Sequence, residues 1–453
     1  MRVLHYSDLE NIYDNPDAVS RFVKLINTHR DKETLVVGSG DVIGPSVLSL
    51  VTNGDVVVDI FEAIKTDAET FGNHDFDLGL ETLTNIITNT PQTWLATNID
   101  HKSGVLSEAG AVPYTVVNCG SCEVGLLGVT TPELSDMNHR ASQISVQDPI
   151  SAVETYTKRL RRSRNVDAVI VLSHLGNERE FATQLDISVD AVLGGHNHDQ
   201  LATEVDGTIV ARPGVNGTHV TDIRLKHPRS ITHHPVARAN RNEAISKRIN
   251  AYISSSGLSD TVATVPEPIT LDKKAGSRGE SRIGNFVTDA FRWKTGADVA
   301  VIAARMIRTG ETLEGEVTPF DLIKIAPFDD QLVVLDLPGC QLIDLFRELR
   351  HETVPTLRDW YFGHVSGATL VWNQADELDR ILVDGATLDA TATYEVATSS
   401  YFVQTNHIFT TLKKPDVIDS FGPQYDALVE YAETNGIEPE IEGRIIRSDY
   451  SQN

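Results

Sequence analysis

Cysteine is nearly missing: three residues in 453 are too few for a disulfide framework. Two of them, Cys119 and Cys122, frame Gly120 and Ser121 in NCGSCE between two strand-like runs. A hairpin turn is the reading, because a zinc site needs two more ligands at matching spacing and a redox CxxC opens a helix. Long apolar runs are missing as well, and none approaches the ~18 residues of a membrane span. Met1 leads at once into a strand, with no room for a basic segment, an apolar segment and a cleavage site, so the expected location is cytoplasmic. Positive charge is scarce. The 39 basic residues against 64 acidic ones leave a net charge of -25, which argues against nucleic acid or an anionic membrane as partner, since both need a basic surface. Lysine is the scarcest, 13 against 26 arginines. A strongly acidic, lysine-poor surface suits high salt, where screening weakens self-repulsion, and a halophilic protein is the expectation.

What is present is enough for two cores. Single cores stop growing near roughly 250 to 300 residues, and 40% hydrophobic with 23% charged residues is an ordinary globular mixture. Over residues 1–235 short apolar strands alternate with helical segments, which implies α/β layers. Asp8, Asp41, Asn73, His174 and His196 each fall just past the end of an apolar strand, and ligands bind outside the carboxyl ends of such strands. Residues 236–257 read as a linker helix and hinge, ending in the Ser/Gly stretch SSSGLSD. Residues 258–453 mix helices and strands, giving a smaller α+β domain.

Singly, each polar motif is weak, since a lone Asp at a strand end is more often a cap and a lone His more often a satisfied polar group. Together SDLE (7–10), GD (40–41), GNHDFD (72–77), SH (173–174) and GGHNH (194–198) supply carboxylate, amide and imidazole groups in an order that suits two divalent cations. Mixed N/O ligation fits Mn, Mg, Fe or Zn. In these blocks, and in the LGVTTPE and RPGVNGTHVTDIRL segments, the sequence resembles the metallophosphoesterases, and within them the 5'-nucleotidase family that also contains UDP-sugar hydrolases and 2',3'-cyclic nucleotide phosphodiesterases. The resemblance implies a four-layer α/β/β/α sandwich followed by an α+β substrate-binding domain, and with the composition it fits a halophilic archaeon. It assigns one metal to Asp8, the residue at position 10, Asp41 and His198, and the other to Asp41, Asn73, His174 and His196, with Asp41 bridging. His74 would act on the transition state or the leaving group, with Asp77 orienting its ring. The family has DxH at the first strand where this chain has Asp8-Leu9-Glu10. Either Glu10 ligates the first metal, making the site harder and favouring Mn, Mg or Fe over Zn, or it misses the metal and the first site is weak. Mn is the favoured ion.

For the C-terminal domain the resemblance implies a pocket for a nucleoside. ESRIGN (280–285) makes Arg282 a candidate phosphate contact, and Arg308 stands at the arginine of the family's NGGGIR. The glycines of that loop are replaced in AARMIR, so Arg305 and Met306 should fill the space they leave. Phe328 and Tyr401 match two stacking aromatics, Asp330 stands where a base-contacting asparagine is common, and His407 replaces the aspartate of a lost GGD turn. The expected partner is a small phosphorylated molecule, a nucleotide first. The expected reaction is two-metal hydrolysis of a nucleotide monophosphate. The alternatives are a cyclic-nucleotide phosphodiesterase or nucleotide-sugar pyrophosphatase, and, in another class, a pseudoenzyme with a weakened metal site.

Overall fold

A computed structural model describes residues 1–100, 104–164, 166–270, 279–308, 312–349, 363–373, 375, 377–405, 408–413 and 416–447. The chain forms two compact units, Met1–Ser256 and Gly257–Asn453. Among the described residues no helix is long and apolar enough to cross a membrane.

The first unit is built on two six-stranded sheets. One contains β1 (Arg2–Tyr6), β2 (Thr34–Gly38), β3 (Ala68–Thr70) and β4 (Thr93–Leu95) side by side and parallel, extended beyond β1 by the antiparallel β11 (His219–Arg224) and β12 (Ser230–Pro235). The other runs in the order β5 (Tyr114–Cys119), β6 (Cys122–Thr130), β7 (Ala168–His174), β8 (Ala191–Gly194), β10 (Thr208–Pro213), β9 (Gln200–Val205), with β6, β7, β8 and β10 parallel. Such strands are buried on both faces, which is why TLVVG and AVIVLSH read as continuous apolar runs without alternation. Val3, Leu35, Val37 and Ala68 of the first sheet pack with Val124, Leu126, Ile170, Leu172 and Leu193 of the second, forming the core between the sheets. At roughly 25 cal/mol per Å² this buried apolar area is the main term holding the layers together.

Helices cover the outer faces. α1 (Pro16–His29) starts at a proline with Asn15 capping it and puts Phe22 edge-on to Tyr6 of β1 at 5.7 Å. α2 (Pro149–Ser163) and α3 (Glu178–Gln184) cover the second sheet through Val153, Leu160 and Phe181. The stretch read as a linker forms α4 (Glu243–Ser255), which packs on α1 and ties Arg248 and Tyr252 to Asp59, each at 2.5 Å. NCGSCE is the turn of the β5–β6 hairpin, with Cys119 opposite Cys122; the cysteines are free and buried.

The second unit centres on a mixed five-stranded sheet whose middle strands are Val299–Ala303, Thr393–Ser399 and Gln331–Pro338. Helices Arg282–Thr295 and Gln424–Asn435 pack together beside it around Phe286, Phe291 and Leu428. A four-stranded sheet with Ala368–Trp372 and Leu378–Val383, and an antiparallel pair of Ala263–Ile269 and Leu313–Val317, complete the described part of the unit. The architecture is the expected one, a layered α/β sandwich followed by an α+β domain.

Candidate metal centre

Parallel strands set the site. β1, β2, β3, β7 and β8 all run toward one end of the first unit, and Asp8, Asp41, Asn73, His174 and the 194–198 loop stand at those ends. The loops that follow are sewn together by backbone bonds: Asp8 N–H donates to Gly40 O at 3.0 Å, Glu10 N–H to Asp41 O at 3.3 Å and Gly195 N–H to Ser173 O at 3.0 Å. Two glycines make the approach possible. A Cβ on Gly72 would meet Asp41 Oδ1 at 2.2 Å, and one on Gly195 would meet Ser7 Oγ at 2.1 Å and Asp8 Oδ2 at 2.8 Å.

The backbone is held in rare conformations at the residues that carry the chemistry. Asp8 (φ 48°), Glu10 (42°), Asp41 (52°), His196 (75°) and His198 (62°) all lie in the left-handed region. For residues other than glycine this costs on the order of 1 to 3 kcal/mol each, and it persists only where the surroundings impose it, as at ligand clamps.

Imposed this way, the side chains converge in two groups. In the first, His174 Nδ1 lies 2.7 Å from the carbonyl oxygen of Ser39. That oxygen can only accept, so Nδ1 carries the proton and Nε2 turns its lone pair inward. It faces Asp41 Oδ2 at 3.0 Å. His196 Nδ1 is 3.3 Å from His174 Nε2 and 3.1 Å from Asn73 Oδ1. Ligand atoms about 2.1 Å from one ion and at right angles stand about 3.0 Å apart, so this spacing is that of a coordination shell. In the second group His198 Nε2 lies 3.0 Å from Glu10 Oε1 and 3.7 Å from Asp8 Oδ1. Glu10 is also grouped with Asp41 and His74, with ligand atoms within 4.8 Å of one another.

The electrostatics call for positive charge. Burial lifts the Asp8 carboxyl to about 6, against the pull of His174 and His198. Burial acts on Asp41 in the same sense, but the imidazoles of His174 and His74 outweigh it and hold that carboxyl below the usual range. Burial would lower His174, yet Asp41 overrides it and raises the ring to about 10; burial and His174 together push His196 down to about 3. Two inward lone pairs at 3.0 Å are stable only with a proton or a cation between them, and the hard oxygen and borderline nitrogen donors suit a divalent ion such as Mn or Zn. The residues present therefore fit the implied metals.

His74 stands at the rim. Its N–H donates to Asp41 Oδ1 at 2.7 Å, and its Nδ1 lies 2.8 Å from Asp77 Oδ2. The other oxygen of Asp77 accepts from Asn138 Nδ2 at 2.8 Å, and the same amide donates to Asn73 O at 2.8 Å. With Nδ1 on a carboxylate, the ring is held in one orientation beside Glu10 and Asp41.

Asn138 and Asp75 escaped the sequence reading. Asp75 is fully buried and its carboxylate accepts from four backbone N–H groups: Asp41, Gly72, Val42 and Ile43, at 2.7 to 3.0 Å. It thereby clamps the β2 loop to the β3 loop. Its place inside GNHDFD was the available signal; Asn138, in a loop of no motif, offered none.

In the second unit Arg282 begins its helix with Nε on Pro439 O at 2.7 Å and Nη1 on Pro268 O at 3.3 Å. Arg308 lies over the Phe328 ring at 5.0 Å, and Phe328 is 8% exposed within the core. Met306 is buried in the same core. Asp330 is buried, while Tyr401 is half-buried and edge-on to Phe402 at 5.7 Å. His407 and the side chain of Arg305 lie outside the described residues.

Residues 1–200 match the model of the calcineurin-like phosphoesterases, and residues 261–414 that of the 5'-nucleotidase C-terminal domain. The chain is 24% identical over 406 residues to the endonuclease YhcR of Bacillus subtilis, a match covering 82% of this chain and 33% of that protein. It thus spans about a third of that relative's length. It is 23% identical over 519 residues to the apyrase of Tabanus yao, covering 98% of this chain and 93% of that protein. Among solved structures, the 5'-nucleotidase precursor from Thermus thermophilus superposes with a TM-score of 0.83 at 21% identity over 99% of each chain. The likeness at that identity is one of fold.

Proposed function

We propose that this chain, a metal-dependent phosphoric ester hydrolase that joins a calcineurin-like phosphoesterase domain to a 5'-nucleotidase C-terminal domain, acts on the monophosphate of a nucleotide or a related small molecule. The observation that carries the reading is the inward-facing pair of His174 Nε2 and Asp41 Oδ2 at 3.0 Å within a ring of nitrogen and oxygen donors. Asp8, Glu10, Asp41 and His198 would hold one divalent ion, and Asp41, Asn73, His174 and His196 the other. Divalent ions held there would supply Lewis acidity toward phosphate oxygens and toward water at neutral pH. The protein's part is to fix the donors and to place His74. Asp77 holds that ring through Nδ1, with Asn138 behind the carboxylate, so that Nε2 is the ring atom to stabilise charge on the phosphoryl group or to hand a proton to the departing alkoxide.

A diester or pyrophosphate substrate is the second reading. It draws on the second unit, where Arg282 is engaged by two carbonyls and Phe328 is buried beneath Arg308. With Phe328 only 8% exposed, that unit has a less open aromatic stack than a nucleoside pocket calls for.

The test combines metal content with turnover. The purified chain is expected to hold two ions after equilibration with Mn and to hydrolyse a generic aryl phosphate only with metal present. His74→Ala should lower kcat by roughly 10² to 10⁴-fold while both ions stay bound. Fewer than two ions and no turnover would sink the enzyme reading, and metal loss in His74→Ala would show that its role is ligation.

A further inference from the structure

We propose that Arg212 is a positioning residue that locks the loops of all three ligand histidines through one buried guanidinium. The inference rests on the metal-centre reading. Arg212 lies near the end of β10, parallel to β8, and its side chain is 5% exposed. One amino group donates to Glu178 and to Gly176 O, the latter at 3.2 Å; the other donates to Asp199. Gly176 is two residues past His174, and Asp199 directly follows His198. Glu178 is itself fully buried and returns to the same loop, accepting from Gly176 N–H at 3.0 Å. Glu178 also fills the place a side chain on Gly194 would take, since a Cβ there would meet its carboxyl carbon at 2.3 Å. That presses the start of the GGHNH loop, two residues before His196, against α3. Asn197, between His196 and His198, adds a hydrogen bond from its side-chain Nδ2 to Gly176 O at 2.5 Å.

One cation thus joins the loop after β7 to the loop after β8. The planar guanidinium suits this task, because it offers a fork of donors in fixed directions, whereas an ammonium is a single point of charge. Removing it would strand the buried Glu178 carboxylate beside Gly194 and release Asp199. His174, His196 and His198 would keep their identities and lose their fixed aim, and partners standing behind metal ligands typically set affinity by roughly 10 to 100-fold.

The experiment is Mn binding by calorimetry on this whole chain, with melting temperature of the metal-free form and steady-state kinetics alongside. Arg212→Gln is expected to weaken both ions by roughly 10 to 100-fold, with kcat returning toward that of the parent at saturating Mn. Arg212→Lys should recover only part of the affinity. Asp199→Asn is the variant that leaves folding aside, since the Asp199 side chain is 66% exposed; it should weaken the ion held by His198 and leave the other unchanged. Parental Mn affinity in folded Arg212→Gln, or in Asp199→Asn, would overturn the proposal. So would a drop in melting temperature with unchanged affinity, the mark of a purely structural ion pair. If the parent itself binds no Mn, the metal-centre reading fails first, and the two failures are told apart.

Discussion

Glu10 stands where an imidazole is expected. The structure puts Oε1 3.0 Å from His198 Nε2 and within the same cluster as Asp8, in a left-handed backbone at φ 42°. A carboxylate there adds a negative charge to a group that already holds Asp8 and Asp41, and oxygen donors favour harder ions than imidazole does. Glu10→His should therefore move the preference of the centre from Mn toward Zn. In competitive equilibrium dialysis the Zn-to-Mn occupancy ratio is expected to rise about tenfold or more, a change on the order of 1.4 kcal/mol. An unchanged ratio would remove Glu10 from the ligand set. The ligand candidates themselves could be read from SDLE, GNHDFD and GGHNH because metal chemistry restricts residue type. Their strained backbone could not be read, since five residues other than glycine at positive φ leave no mark on composition. Nor could Asn138 or Arg212, whose roles come from distant segments meeting: Asn138 is 61 positions from Asp77 and Arg212 is 34 from Glu178.

Elements show the same division between what local sequence dictates and what packing decides. α2 from Pro149 to Ser163 was legible from its apolar spacing and from a proline at its start. β12, SITHHP, was not, because as an edge strand half open to solvent it lacks an apolar run. ESRIGN carries the clearest lesson. Read as a phosphate-contact block for Arg282, it also carries a staple, made by Glu280. Glu280 accepts from the Asn285 amide, from Glu442 N–H and from Arg444 N–H, each at 2.7 Å, tying the head of the Arg282–Thr295 helix to the 439–444 segment. Burial alone would raise the Glu280 carboxyl, but those three donors outweigh it and hold it below its usual value of 4.5. A depressed carboxylate stabilises the fold above the unfolded-state value and loses that contribution as pH falls through the folded one. Glu280→Gln is accordingly expected to cost about 1 to 3 kcal/mol at neutral pH. The gap from the parent should close as pH is lowered below about 4.5. Denaturant melts of the two proteins at pH 7 and pH 4 measure this, and a gap independent of pH would show that the carboxylate charge is not what the donors hold.

At the scale of the whole molecule the dominant quantity is charge. A net charge of -25 over 19053 Å² of surface places one net negative charge on roughly 760 Å², an average spacing of roughly 28 Å. The Debye length is about 30 Å at 0.01 M salt and about 10 Å at 0.1 M. Average repulsion is therefore felt fully at the lower concentration and is largely screened at the higher one. It acts against the compact state, because unfolding lets like charges separate. The melting temperature should rise steeply as KCl goes from 0.01 to 0.2 M. Screening of widely spaced charges is then nearly spent, so a protein that is merely acidic would level off. A protein shaped for high salt carries dense acidic surface whose close neighbours, well under 10 Å apart, remain unscreened until the Debye length falls to about 3 Å near 1 M. We propose the second case for this chain on the strength of its lysine-poor surface, and expect the melting temperature to keep rising between 0.2 and 2 M KCl. The control is NaCl at the same ionic strength, which should give the same curve up to 0.2 M, since screening depends on ionic strength and not on the cation. A plateau above 0.2 M would leave an ordinary acidic protein, and a fall on first adding salt would show that attractive pairs, such as Arg2 with Asp222 and Arg444 with Asp289, outweigh the net repulsion.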